Sequence, residues 1–293
     1  MRTDATWVAV LQSLPIACGR SRALARFGSL ETMTDVSKST PTGSEPEPAD
    51  KEDIRELRAQ LDAITQELKQ LTQRVRSVDQ RTMMMPRGLL TDFQALQQLL
   101  HRYRPEATLP QVAGWALSPR GLLTLTDLIE SANARTVVEC GSGTSTLWIA
   151  YALRKLGRGK VIAFDHLPEY AQRTQALIDE HDLAWFAEVR LAPLAQRATP
   201  RGSFLWYDID PATFRHPIDV LLVDGPPQST GRHARYPALP ILTPFLAPGA
   251  VVLCDDTSRR DEQEMIDFWL GEDPQLQRLP SPGQDLELLQ LPL

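Results

Sequence analysis

Apolar residues set a regular beat from residue 54 onward. Ile54, Leu57, Leu61, Ile64, Leu68, Leu71, Val75 and Val78 follow one another at alternating spacings of three and four, with polar residues at nearly all positions between and no Gly or Pro. This is the a/d seam of a heptad repeat, and it predicts a coiled-coil helix over 51–82. A lone helix would leave the stripe in water, so pairing with a copy of itself, giving a homo-oligomer, is expected over docking along its own domain. Ile, Leu and Val mix at both seam positions, which leaves the strand number open. The seam is expected to stop near Met83-Met84-Met85-Pro86, with 83–114 a helical linker. Within that linker, residues 89–103 read as an amphipathic helix closed by Pro105. Another helix is expected at Leu122–Ala132.

From Arg135 the pattern becomes short apolar runs alternating with helical periodicity. Strands are expected at Thr136–Cys140, Lys160–Asp165, Ala187–Leu191, Asp219–Asp224 and Ala250–Asp255. Helices fit at Ser145–Leu156, Pro168–His181, Tyr236–Phe245 and Asp261–Leu270. The tail reads as two strands around a Pro/Gly turn. Such alternation signifies an α/β fold, a mostly parallel, doubly wound Rossmann-like sheet covered by helices on both faces.

Upstream of the seam, residues 31–50 are rich in Ser, Thr, Pro and Glu and nearly free of large apolar groups. Such a segment buries too little surface to offset its conformational entropy, so 1–50 is expected to be a disordered leader. The apolar run Trp7–Ala17 is too short to span a bilayer, and only Arg2 precedes it, which argues against a signal peptide. Met33 is a candidate start.

Composition adds bounds. The 293 residues are 42% hydrophobic and 23% charged, an ordinary globular balance. A net charge of −6 gives no overall attraction to nucleic acid or anionic lipid, so no nucleic-acid partner is expected, although local basic patches remain compatible with it. Cys18, Cys140 and Cys254 show no paired spacing, so neither a disulfide framework nor a zinc site is indicated, and a reducing, cytoplasmic location fits.

Chemistry concentrates at the expected strand ends. Val137–Cys140 runs into Gly141-Ser142-Gly143-Thr144-Ser145-Thr146, a strand breaking into a glycine turn that opens a helix. Ligands of open α/β sheets bind at such turns, where glycine permits close backbone approach. A nicotinamide fingerprint would place a third glycine at 146, where Thr146 stands. Glu139, just before the glycines, repels a pyrophosphate and suits a cofactor carrying positive charge. Asp165, ending the second strand, is placed to accept ribose hydroxyls, or alternatively to cap the helix at Pro168. Asp224 in Val223-Asp224-Gly225-Pro226-Pro227 and the pair Asp255-Asp256 end adjacent strands over one crevice. Three such carboxylates repel and raise one another's pKa unless a cation resolves them; Mg2+ or Mn2+ would suit hard oxygen ligands. The other resolution is helix capping, with Arg259, Arg260 or Arg232 neutralising the cluster. His233, in the polar loop 228–236, is a candidate general base or a plain solvent-exposed histidine. Arg232 and Arg235 are candidates to hold an acidic substrate group.

These motifs resemble motif I and its companions in class I S-adenosylmethionine (SAM)-dependent methyltransferases. The longer context is similar to a bacterial family with E-x-G-S-G-x-S-T, A-P-L, V-D-G-P-P and D-D motifs, often found beside cell-surface polysaccharide and secondary-metabolite genes. The resemblance covers about residues 115–291 and implies the SAM methyltransferase fold, with a domain over 115–293. It implies that Glu139, Gly141, Ser142 and Gly143 contact the methionine part of SAM, and that Ala192, in Ala192-Pro193-Leu194, lies along the adenine. The carboxylate triad resembles the metal site of catechol-type and macrolide-sugar O-methyltransferases, with Asp224, Asp255 and Asp256 as ligands and Asp224 also catalytic. Asp256 departs from that pattern, which has asparagine there. Trp115, in a segment that covers the cofactor in related enzymes, is expected to pack in the core. The expected activity is methylation of a hydroxyl on a small molecule or glycan, with no membrane span. A NAD(P)-linked oxidoreductase and a non-catalytic interaction protein stay open at this point.

Overall fold

The computed structural model describes residues 51–110, 116–210, 212, 214–280, 283 and 285–292. The expected leader, Cys18 and Trp115 lie outside the described residues. The chain divides into two units, Met1–Glu67 and Leu68–Leu293.

Helix α1 runs from Lys51 to Tyr103 without interruption. The expected break at Met83–Pro86 therefore does not occur in the backbone. Proline costs an interior helix one hydrogen bond and a steric clash, about 3 kcal/mol. The Leu-, Gln- and Arg-rich flanks supply helix on both sides of it. Seam residues Leu61, Ile64, Leu68 and Leu71 are 54–64% exposed in the single chain. Further along α1, Ala95, Leu99 and Tyr103 recur every fourth residue and are buried.

Helix α2 (Pro119–Ser131) begins with Ser118 at its N-cap, whose hydroxyl accepts from the Gly121 N–H at 3.2 Å. Ser118→Ala is expected to cost about 1 kcal/mol, read as a lowered denaturation midpoint. The Tyr103 hydroxyl donates to Glu130 on α2 at 2.5 Å, and Arg120 on α2 reaches back to Asp92 at 2.8 Å.

The sheet comprises β1 (Thr136–Cys140), β2 (Lys160–Asp165), β3 (Ala187–Leu191), β6 (Ile218–Val223), β7 (Leu246–Cys254), β8 (Gln277–Arg278) and β9 (Glu287–Gln290), in the order β3-β2-β1-β6-β7-β9-β8. The five strands from β3 to β7 pair in parallel; β9 and β8 close the edge antiparallel. The chain steps outward from β1 to β2 and β3, then returns to the other side of β1 as β6. The crevice between β1 and β6 is thus the topological switch point, where sheets of this kind bind ligands.

Alternate side chains of β1 enter different cores. Val137 joins Leu122, Leu125, Trp148 and Ile149, whereas Val138 and Cys140 join Trp206, Leu221, Met265 and Trp269. The first core takes α2 and α3 (Thr144–Leu156), with the end of α4 (Pro168–Glu180); the second takes α5 (Ala238–Leu242) and α6 (Arg260–Glu272). Helix α5 is shorter than the expected Tyr236–Phe245 and passes into a 3-10 turn at Thr243–Phe245, consistent with prolines at 240 and 244.

One element was not legible in the pattern. Strands β4 (Leu194–Thr199) and β5 (Gly202–Tyr207) form a separate antiparallel hairpin, turning at Pro200-Arg201. It delivers Trp206 and Tyr207, both buried, beneath the carboxyl ends of the main sheet.

Candidate functional site

Backbone hydrogen bonds carry each central strand just past its end and set the site's first atoms. Gly141 N–H bonds to Phe164 at 2.9 Å, Asp224 N–H to Cys140 at 3.0 Å, and Ala192 N–H to the Asp165 carbonyl at 2.7 Å. Gly141 has φ +103°, and a Cβ placed there would lie 3.6 Å from the Asp224 carbonyl group. The β1 and β6 turns therefore lie in van der Waals contact, and it is the positive φ at 141, not crowding, that disfavours a side chain there.

Over this crevice lies a cleft of about 270 Å³. Gly141, Ser142, Asp165, Tyr207, Asp224 and Arg235 contribute to its lining, with His166 and Tyr170 at one side. Asp165 is 6% exposed. One of its oxygens accepts from the Ser142 hydroxyl at 2.8 Å and the other from the Leu167 N–H at 3.1 Å. The carboxylate thus ties the first glycine turn to Leu167, the residue before α4.

Glu139 is 1% exposed and does not line the cleft. Its oxygens accept from the Ser145 hydroxyl and from Thr146 Oγ1, the latter at 2.6 Å. Thr146 Oγ1 also accepts from the Gly143 N–H at 3.0 Å. The carboxylate beneath the glycine turn thereby holds the first turn of α3 through two hydroxyls. Burial pushes its pKa up to about 7, against the lowering effect of the two hydrogen bonds. Thr146, which in the sequence only argued against a nicotinamide fingerprint, is part of this clasp. Gly143 and Ala192 sit at the turn and strand ends as expected, outside the cleft lining.

Carboxylate oxygens of Asp224, Asp255 and Asp256 all come within 4.8 Å of one another, as the sequence expectation required. The cation that meets them is Arg235, 3% exposed. Its Nη2 lies 2.7 Å from Asp256 Oδ2 and 3.4 Å from Asp224 Oδ1. Its Nη1 donates to the Asp255 carbonyl at 3.0 Å, and its Nε to the Pro226 carbonyl at 3.4 Å. Arg259 adds a second guanidinium on Asp256 at 2.7 Å. The composition of this triad suits a hard cation, but its geometry does not fit one as built, because a guanidinium already bridges two of the three ligands. Burial raises the Asp224 carboxyl well above the usual range, with Arg235 opposing and the neighbouring acids reinforcing the shift.

The sequence candidates Arg232 and His233 go elsewhere. His233 Nε2 lies 2.8 Å from Glu264, its ring stands edge-on to Phe268, and Arg232 also binds Glu264 at 2.7 Å. Neither lines the cleft. His233, Asp261 and Glu264 form a second cluster of metal-ligand type. There Glu264 is engaged by Arg232, Arg260 and His233, whose hydrogen bonds bring its pKa down to about 2.

Sequence reasoning missed Tyr207, whose hydroxyl sits where a Cβ on Gly225 would fall, 2.3 Å away. Gly225 is thereby required for close packing, and the only local signal was the apolar run Phe204–Tyr207 ending β5.

Residues 138–257, less than half of the chain, match a family model described as a methyltransferase domain. No curated protein matches. Among solved structures, the O-methyltransferase TomG from Streptomyces achromogenes, involved in tomaymycin synthesis and solved with SAM, is similar at 19% identity. It covers 68% of this chain and 89% of its own, with a TM-score of 0.46. An O-methyltransferase from Bacillus cereus in complex with SAH is 17% identical over 68% of this chain and 91% of its own, TM-score 0.46. The SAH-bound methyltransferase PaMTH1 of Podospora anserina is 16% identical over 67% and 87%, TM-score 0.48.

Proposed function

We propose that the α/β domain is a SAM-dependent methyltransferase acting on a hydroxyl of a small molecule or glycan, with Asp224 as general base and Arg235 as its resident cation. The observation that carries this reading is the meeting of Gly141, Asp165 and Asp224 in one cleft at the β1/β6 switch point. The match of residues 138–257 to a methyltransferase domain supports it.

The fit to SAM rests on three features. Gly141 leaves backbone room for an amino acid moiety; Asp165 faces the cleft as an acceptor for ribose hydroxyls; Glu139 places negative potential under a turn that would meet a positive ligand. When bound, SAM supplies a methyl group already activated by a sulfonium. The protein's share is to align the acceptor oxygen, exclude water and remove one proton. Asp224 borders the cleft, and its raised pKa makes it a better proton acceptor than an ordinary aspartate. Arg235 fixes that carboxylate through Asp256 and the backbone, so no step requires a metal.

Glu139 gives the reading a sharp test. In the free protein its raised pKa means that its contribution to stability is full below about 4.5 and is lost as pH rises through about 7. A positive ligand favours the ionised form, so SAM affinity should rise with pH up to about 7 and then level off. At pH 5.5 it should be about thirtyfold weaker than at pH 8.5, since only a few per cent of Glu139 is then ionised. Calorimetric titration with SAM, with NADH as the contrast, reads this directly; Glu139→Gln should flatten the profile. Absence of SAM binding at every pH would overturn the assignment, and a flat wild-type profile would remove Glu139 from it.

The exposed seam on α1 supports self-association as a coiled coil, since four large apolar side chains lie in water in the single chain. Leu61→Asp with Leu68→Asp is expected to convert an oligomer to monomer in analytical ultracentrifugation. A monomeric wild-type protein would end this part of the proposal.

A further inference from the structure

A second cavity, larger than the cleft at the switch point, lies at the other end of the sheet. It measures about 710 Å³ and is lined by Arg135, Arg158, Lys160, Arg190, Arg215 and His216, with Glu188 as its sole carboxylate. Thr136 and Lys160 open β1 and β2, and Arg215 and His216 immediately precede β6, so this cleft sits at the amino ends of the strands. The methyl-transfer cleft sits at their carboxyl ends. The five residues of β1 separate the two by about 16 Å.

Its charge is largely uncompensated. Glu188 is taken by Arg190 at 2.7 Å. Among the described residues, no carboxylate comes within 4.0 Å of the charged groups of Arg135, Arg158, Lys160 or Arg215. Arg158 donates through Nη2 to the Asn133 carbonyl at 2.6 Å, while its Nε is buried and has no hydrogen-bond partner. A buried donor left without a partner is unfavourable, and an anion in the cleft would give the Arg158 guanidinium one. This concentration is not a by-product of a basic protein, since the chain carries net −6.

We infer that this cleft binds a small, multiply charged phosphorylated anion of the pyrophosphate or nucleoside-polyphosphate kind. Five permanent cations against one carboxylate match three or four negative charges, and guanidinium forks suit phosphate oxygens. The volume is that of a small-molecule site. A nucleic acid would need a basic stripe extending beyond a bounded cleft, against the repulsion of the net negative remainder. The inference stands apart from the methyl-transfer reading and does not depend on it.

The test is calorimetric titration of the full chain with pyrophosphate and with ATP, for wild type and for an Arg135→Gln, Arg215→Gln double variant. Both side chains are exposed and neither makes an ion pair among the described residues, so the variant should keep the wild-type circular dichroism and melting curve. Both ligands should bind the wild type, and more weakly as salt rises from about 50 to about 200 mM. The double variant should bind them at least about tenfold more weakly. Failure of both ligands to bind the wild type would overturn the inference, as would undiminished binding by the variant. It would equally fall if a single-stranded oligonucleotide bound and neither ligand competed with it.

Discussion

Asp224→Asn should lower methyl-transfer turnover by about a hundredfold to ten-thousandfold, the usual worth of a positioned general base. The substitution keeps the side chain's shape beside Arg235 while removing its capacity to take a proton. Arg235 retains Asp256 at 2.7 Å and its bonds to the Asp255 and Pro226 carbonyls, so the local fold should persist. If Asp224 is the base as proposed, kcat should drop while SAM affinity, which the proposal assigns to the Gly141 and Asp165 side of the cleft, stays near that of the wild type. Wild-type turnover should also survive EDTA, since Arg235 occupies the position between Asp224 and Asp256 that a divalent ion would need. Turnover abolished by chelation and restored by Mg2+ or Mn2+ would reject this assignment and return the triad to a metal. Unchanged turnover in Asp224→Asn would remove Asp224 as the base. Single-turnover kinetics on the purified full chain, with a hydroxylated acceptor, read both outcomes.

Arg235→Met should destabilise the α/β domain by about 3–5 kcal/mol, the cost typical of leaving one partner of a buried ion pair unmatched. For a domain of this size that is a fall of roughly 10 °C in melting temperature. Asp224 and Asp256 would remain, half-buried and without their shared cation, although Arg259 still reaches Asp256. The pH dependence distinguishes this electrostatic cause from simple loss of packing. Removing the guanidinium raises the folded-state pKa of Asp224 further, because Arg235 opposes the rise that burial and the neighbouring acids cause. A raised folded pKa contributes stability at low pH that is lost as pH rises through it. The defect should therefore shrink as pH falls towards the ordinary carboxylate range and be greatest at neutral pH and above. Arg235→Lys should recover part of the loss, since a point charge cannot donate in the same fork. A defect that is constant across pH, or a stability equal to that of the wild type, would show that the carboxylates do not depend on Arg235.

These effects depend on contacts that sequence patterns carry unevenly. Strands β1, β2 and β3 match their expected bounds, and β6 is displaced by one residue. Buried β1 and β2 are near-continuous apolar runs and the edge strand β3 alternates apolar with charged residues, both patterns legible without reference to neighbours. Gly141 and Asp165 were likewise legible, because a strand end, a glycine turn and an acid at the next strand end are local features. The β4–β5 hairpin was not. Gln196, Arg197 and Ser203 interrupt its apolar alternation, and only packing of Trp206 and Tyr207 under the sheet makes it a stable element. The continuity of α1 through Pro86 ran against the local rule for proline.

The chain's own pattern determined the alternation of strands and helices, the exposed heptad stripe and the acids at the strand ends, because each depends on residues near one another in the polypeptide. Arg259, one of the neutralising candidates the sequence offered, does meet Asp256, but tertiary structure decided that Arg235 is the cation shared by Asp224 and Asp256. Arg235 stands eleven residues after Asp224 and twenty-one before Asp256, and reaches both only because β6 and β7 lie side by side. Arg135, Arg158 and Arg215 are scattered over eighty residues and converge because parallel strands all begin at the same edge of the sheet, while Arg190 joins them from within β3. A charge's partner is set by distance through space, and in a parallel sheet that distance is fixed by strand order, which lies outside the reach of any local pattern.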